Sequence, residues 1–148
     1  MLTNLLLGLP MMVLCLMLQT VLLVFAIRYY LKRQNRANMV SLWSSLLVIN
    51  GVMILLVIGN LGQIALWAVL FRMLGEFQQY DPAFYHSAVN FASLGYGDIV
   101  MSDKHKLLGA LEAINGVLMI GVSTATLMTV FQAVARKLLA GQGEKTIK

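Results

Sequence analysis

Three long stretches of this chain carry almost no charge, and that pattern constrains the fold more than any motif does. No Lys, Arg, Asp or Glu occurs before Arg28, none occurs between Arg36 and Arg72, and Glu112 alone interrupts residues 107–135. A helix needs about 20 apolar residues to cross the hydrocarbon core of a bilayer, and each stretch is long enough. Backbone groups in that core find no water, so helix is the expected state. Of 148 residues, 59% are hydrophobic and only 11% charged, against roughly a quarter charged in a soluble domain. A soluble hydrolase, a nucleic-acid binder and a disordered tail all fit poorly. The single Cys15 excludes a disulfide framework and a cysteine-rich metal site. With two His and six acidic residues, no nucleophile–base pair is visible, so an enzyme is not expected. The expectation is an all-α membrane protein with three spanning helices.

The basic residues orient those helices. Lys and Arg close to a span favour the cytoplasmic side. Four of them fall in 28–38 and four in the tail from Arg136 to Lys148. The loop between the second and third spans has only Arg72, Lys104 and Lys106, opposed by Glu76, Asp81, Asp98 and Asp103. An extracellular N-terminus and a cytoplasmic C-terminus satisfy these counts together. The first span lacks the basic start and small-residue cleavage site of a secretory signal, so it reads as an uncleaved helix. Tyr29, Tyr30 and Trp43 read as interfacial anchors.

The connection 75–106 is too hydrophobic for a plain linker. After a polar turn, Asp81-Pro82 reads as a helix start, since Asp accepts bonds from free N–H groups and Pro suits the first helical position. The helix expected over 82–92 is about three turns, too short to cross a bilayer but long enough to dip in and return. Ser93-Leu94-Gly95-Tyr96-Gly97-Asp98 follows directly.

Those six residues resemble the selectivity filter of the potassium channel family, T-x-G-Y-G-D. The resemblance covers roughly Ser45 to Arg136: a short helix, the filter and an inner helix with a mid-span glycine, Gly121, at the family's spacing. It implies a re-entrant pore helix and a homotetramer around a central pore, because one motif supplies a quarter of a ring. It implies K⁺ bound at Ser93, Leu94, Gly95 and Tyr96, with Gly97 completing the filter and no cofactor beyond the permeant ion. Backbone carbonyls replace the hydration shell of K⁺ in such filters. Aiming successive carbonyls at one axis needs angles that Gly accepts and other residues resist. The C-terminal end of the short helix would add partial negative charge facing the cavity below.

The resulting division is an extra N-terminal helix (1–27), a cytoplasmic basic loop (28–40), an outer helix (41–74), a turret, pore helix, filter (93–98) and outer loop (75–106), an inner helix (107–136) and a cytoplasmic tail (137–148). Three departures from the family pattern stand out. Ser93 replaces Thr and loses a methyl that fixes the rotamer, Leu94 replaces Val or Ile, and Val89 stands where some relatives place a carboxylate that interacts with the filter Asp. Asp98 therefore needs another partner, and Tyr85 is the first candidate.

On the third span, Gly121, Ala125 and Thr129 are the hinge or gate candidates by resemblance, and simple close packing is an equal reading of Gly121. Val122, Val130 and Ala133 join the expected cavity face. Hydroxyls such as Thr124, Thr126 and Thr129 often bond their own preceding turn. Glu112 admits three readings: snorkelling to the outer surface, a bond behind the filter, or ion binding. Asn50, Asn60 and Gln63 read as interhelical hydrogen bonds, the ten Met as packing filler, and His86 as a structural residue or a pH sensor.

The first span does not repeat Arg as a voltage sensor does, and no ligand domain is expected in the short tail, so the gate is expected in the filter, the inner helix or an unidentified regulatory partner. The expected function is passive K⁺ conduction across the cell membrane, with lipid and identical copies as partners and no nucleic acid. A non-selective cation channel of the same fold is the alternative. A non-conducting assembly subunit and a small multidrug-type transporter remain from other classes, although a transporter gives no reason for G-Y-G-D.

Overall fold

The computed structural model describes residues 1–36 and 42–146, in which four helices follow one another: α1 (Leu2–Arg36), α2 (Leu42–Met73), α3 (Tyr80–Phe91) and α4 (Lys106–Thr146). α1, α2 and α4 are each long and apolar enough to cross a membrane, and the protein is an all-α, multi-pass membrane protein. The 12 residues of α3 span only about 18 Å, less than a hydrocarbon core.

The helix ends depart from the sequence division in an informative way. α1 continues through Arg28, Lys32 and Arg33 to Arg36, so much of the expected 28–40 loop is the last turns of a helix. Lys and Arg are good helix formers, and cations suit a helix C-terminus. Residues 37–41 lie outside the described residues. α4 likewise runs past Arg136 to Thr146, taking in most of the expected tail, and 147–148 lie outside the description. Pro10 sits inside α1 without ending it, as apolar spanning helices tolerate.

Lipid tails are as apolar as leucine, so spanning helices associate through close packing and hydrogen bonds. Both occur here. Small residues seat α1: Gly8 meets the Leu111 side chain, Gly59 meets Leu22, and Gly51 meets the Tyr29 ring. One core gathers Cys15, Trp67, Phe71, Met101 and Leu108, and a second gathers Ala26, Val52, Leu56, Val130 and Val134. Val130 therefore faces the chain's own interior and not a cavity. It and Val134 lie one turn apart on the stripe of α4 that meets α1 and α2.

A polar seam runs across the helices between these cores. Gln63 Nε2 donates to Gln19 Oε1 at 2.7 Å, Gln19 Nε2 donates to Ser123 Oγ at 2.9 Å, and Ser123 Oγ donates to Asn60 Oδ1 at 3.4 Å. Asn60 and Gln63 thus bond between helices, whereas Asn50 is exposed. At one end of the bundle, Asn4 Nδ2 donates to the Lys104 carbonyl at 2.8 Å, tying the start of α1 to the loop before α4.

Candidate functional site

α3 begins at Tyr80, two residues before the expected start. Its N-cap is Gln79, without a side-chain cap bond, and Asp81 lies inside the first turn. There the carboxylate complements the positive end of the helix dipole without acting as a cap. The helix is held on its buried side by Ala83, His86, Ser87, Val89 and Phe91.

The C-terminal end of α3 is closed by its own chain. Ser93 N–H donates to Asn90 O at 2.8 Å and Leu94 N–H to Val89 O at 2.9 Å, the paired bonds of a Schellman cap. The Val89 and Asn90 carbonyls are thus already bonded, so the free-carbonyl charge expected at this helix end is reduced. Such a cap needs a left-handed residue, and Ser93 takes it at φ 57°. A β-branched residue is a genuine outlier in that region, which gives a physical reason for Ser93 where the family pattern has Thr.

Beyond the cap the backbone alternates in hand. Gly95 and Gly97 also have positive φ, 59° and 74°, while Leu94 and Tyr96 do not. Every residue from Ser93 to Asp98 is exposed on the single chain, Leu94 by 54% and Tyr96 by 65%. The Leu94 and Tyr96 side chains therefore find little cover within their own chain.

Two neighbours on α3 hold the far end of the segment. Tyr85 Oη donates to Asp98 Oδ2 at 2.7 Å, and this bond keeps the Asp98 carboxyl below its usual range. His86 Nδ1 lies 2.8 Å from the Ile99 carbonyl, and its Nε2 lies 2.9 Å from Asn90 Nδ2. A carbonyl only accepts, so Nδ1 carries the proton and Nε2 accepts from the amide. His86 also touches the Phe71 and Phe77 rings, an arrangement that fits its structural reading. Val89, the third support candidate, is 7% exposed and acts through its main chain at the cap.

Behind α3 lie contacts whose partners no sequence spacing identifies. Ser87 Oγ is 2.8 Å from the Ile64 carbonyl of α2 and also bonds the carboxyl of Glu112 on α4. Glu112 is fully buried, so snorkelling is excluded and the bond behind the segment is the reading that fits. Gly116 faces the Phe91 backbone so closely that a Cβ would land on its carbonyl. Glu76 clamps the loop before α4, accepting from Ser102 N at 2.7 Å, from Ser102 Oγ at 2.6 Å and from His105 Nδ1. Burial opposes its ionisation, but the bonds from Ser102 and His105 prevail and hold its carboxyl below the usual value.

The hinge and gate candidates Gly121, Ala125 and Thr129 are all exposed on α4, and Gly121 meets nothing within 4 Å. Within this chain, the close-packing reading of Gly121 has no contact to rest on. Thr124, Thr126 and Thr129 donate back to Ile120, Val122 and Ala125 carbonyls. The structure thus brings Tyr85, Val89 and Ser93–Asp98 together and leaves the α4 candidates apart from them.

The family described as Ion channel matches residues 60–133, half of the chain, from the polar seam on α2 through α3 and the 93–98 segment to α4. No curated protein and no solved structure matches.

Proposed function

Because the chain belongs to the ion channel family, we propose that four copies form a passive, K⁺-selective pore. The Ser93, Leu94, Gly95 and Tyr96 carbonyls bind the ion in this reading, and Gly97 completes the ring. The observation that carries it is the alternation of positive φ at Ser93, Gly95 and Gly97. A row of carbonyls aimed to one side needs that backbone, and oxygens so aimed from four chains replace the hydration shell of K⁺. The exposed Leu94 and Tyr96 side chains support assembly, since a neighbouring copy gives them the packing their own chain lacks.

Asp98, Tyr85 and Val89 hold the filter from the side of α3. Gly121, Ala125 and Thr129 line the inner half of the pore, with the N-terminus extracellular and the C-terminus cytoplasmic. α1 packs against α2 and α4 and faces lipid on its outer side. Purified protein is expected as a particle of about 66 kDa, four copies of the 16.4 kDa chain, and in liposomes it is expected to pass K⁺. A dimer, or liposomes no more permeable to K⁺ than empty ones, contradicts the proposal.

A further inference from the structure

Ser87 has one hydroxyl hydrogen and two oxygen neighbours, the Ile64 carbonyl at 2.8 Å and the Glu112 carboxyl. A carbonyl can only accept, and an ionised carboxylate can only accept. One hydrogen serves both only as a weakened, shared bond, whereas a proton on Glu112 gives each contact a hydrogen of its own. The surroundings agree. Glu112 is 0% exposed, its Oε2 has no protein partner, and the ion pairs found among the described residues do not involve it. A buried carboxylate without a cation is far more costly than a neutral acid with one carbonyl oxygen unpaired.

We propose that Glu112 is a protonated positioning residue, donating its O–H to Ser87 Oγ while Ser87 donates to the Ile64 carbonyl. The relay runs from α4 through α3 to α2 and fixes α3 two turns before the residue that opens the 93–98 segment. Deprotonating Glu112 leaves two acceptors competing for the one Ser87 hydrogen, so the relay is intact at lower pH and breaks as pH rises. Few titratable groups face it from the packed helices. Cys15 of α1, beside Trp67 and Asn115, is one of them. On α3, Asn90 lies beside the carboxyl and links it to His86. The only charged residue on α2 is Arg72, exposed at its far end.

The proton is tested without any ion flux. Infrared spectra of the purified protein should contain a protonated-carboxyl stretching band that Glu112→Gln removes and that strongly alkaline buffer converts to a carboxylate band. The positioning role rests on the channel reading and is tested by K⁺ flux. Glu112→Gln keeps a donor to Ser87, so its flux should match the unmutated protein at neutral pH and lose the decline at alkaline pH. Glu112→Ala and Ser87→Ala each disrupt the buried relay and leave a polar partner unsatisfied, and each should lower flux roughly tenfold. Absence of the band at neutral pH overturns the proposal, as does a Glu112→Gln variant as impaired as Glu112→Ala. If the unmutated protein carries no flux, the channel reading fails while the infrared result still decides the proton.

Discussion

The two sides of α3 obey different rules. Its rear face is finished within one chain: Ser87 is bonded to two helices, His86 to the Ile99 carbonyl beyond the 93–98 segment, and Phe91 lies against Gly116. The segment it delivers is unfinished, with Ser93–Asp98 exposed and left-handed at three positions. Positioning is therefore a property of the single chain, whereas the conducting ring is proposed as a property of the assembly. Mutations on the two sides should fail differently.

The largest effect is expected at Gly116. A side chain there meets the Phe91 backbone, which cannot swing aside as a flexible side chain does. Gly116→Val should cost at least the about 1–3 kcal/mol of ordinary overpacking and lower the melting temperature of the detergent-solubilised protein. An unchanged melting temperature would break the claim that α4 fixes the end of α3.

Gly95→Ala belongs to the other side. The left-handed backbone costs a non-glycine residue about 1–2 kcal/mol, and nothing in the chain lies within 4 Å of the position. The fold should survive while K⁺ current is lost. Loss of folded protein together with current would erase the distinction between the two sides.

Acid should act on the loop before α4. The Glu76 carboxyl is held below its usual value in the folded state, so its contribution is present above the unfolded value and is lost as pH falls through the folded one. A melting curve that softens in acid for the unmutated protein, but not for Glu76→Gln, is the expected result.

Ser93→Gly should have the smallest effect. It relieves the left-handed strain at the cap and removes one hydroxyl, so selectivity should mostly persist and K⁺ binding at the Ser93 end of the segment should weaken. Competition of K⁺ with a blocking ion at that end would measure this. Ser93→Thr should be the worse substitution, since branching at Cβ opposes the same φ.

Much of this architecture was legible because it is local. Runs with little or no charge mark the three spans, a short apolar segment before G-Y-G-D marks α3, and Tyr85 and Asp98 are near enough in sequence to be paired by reasoning. The hydroxyls that bond their own preceding turn were likewise predictable from spacing. What escaped is long-range. Ser87 and Glu112 are separated by 25 positions, and Gln19 and Ser123 by 104, so no periodicity links them. Val130 was misplaced because a helix that is apolar all round does not announce which stripe meets its neighbours. The helical run to Arg36 was missed because a cluster of charges ends a membrane span without ending a helix.

A reversal potential tests the central claim most directly. The purified protein in a planar bilayer, with K⁺ on one side and Na⁺ at equal concentration on the other, should reverse far from zero in the direction set by K⁺. A reversal near zero would mean a pore that does not discriminate between the two ions, and the account of the 93–97 carbonyls as a K⁺-selective ring would be wrong.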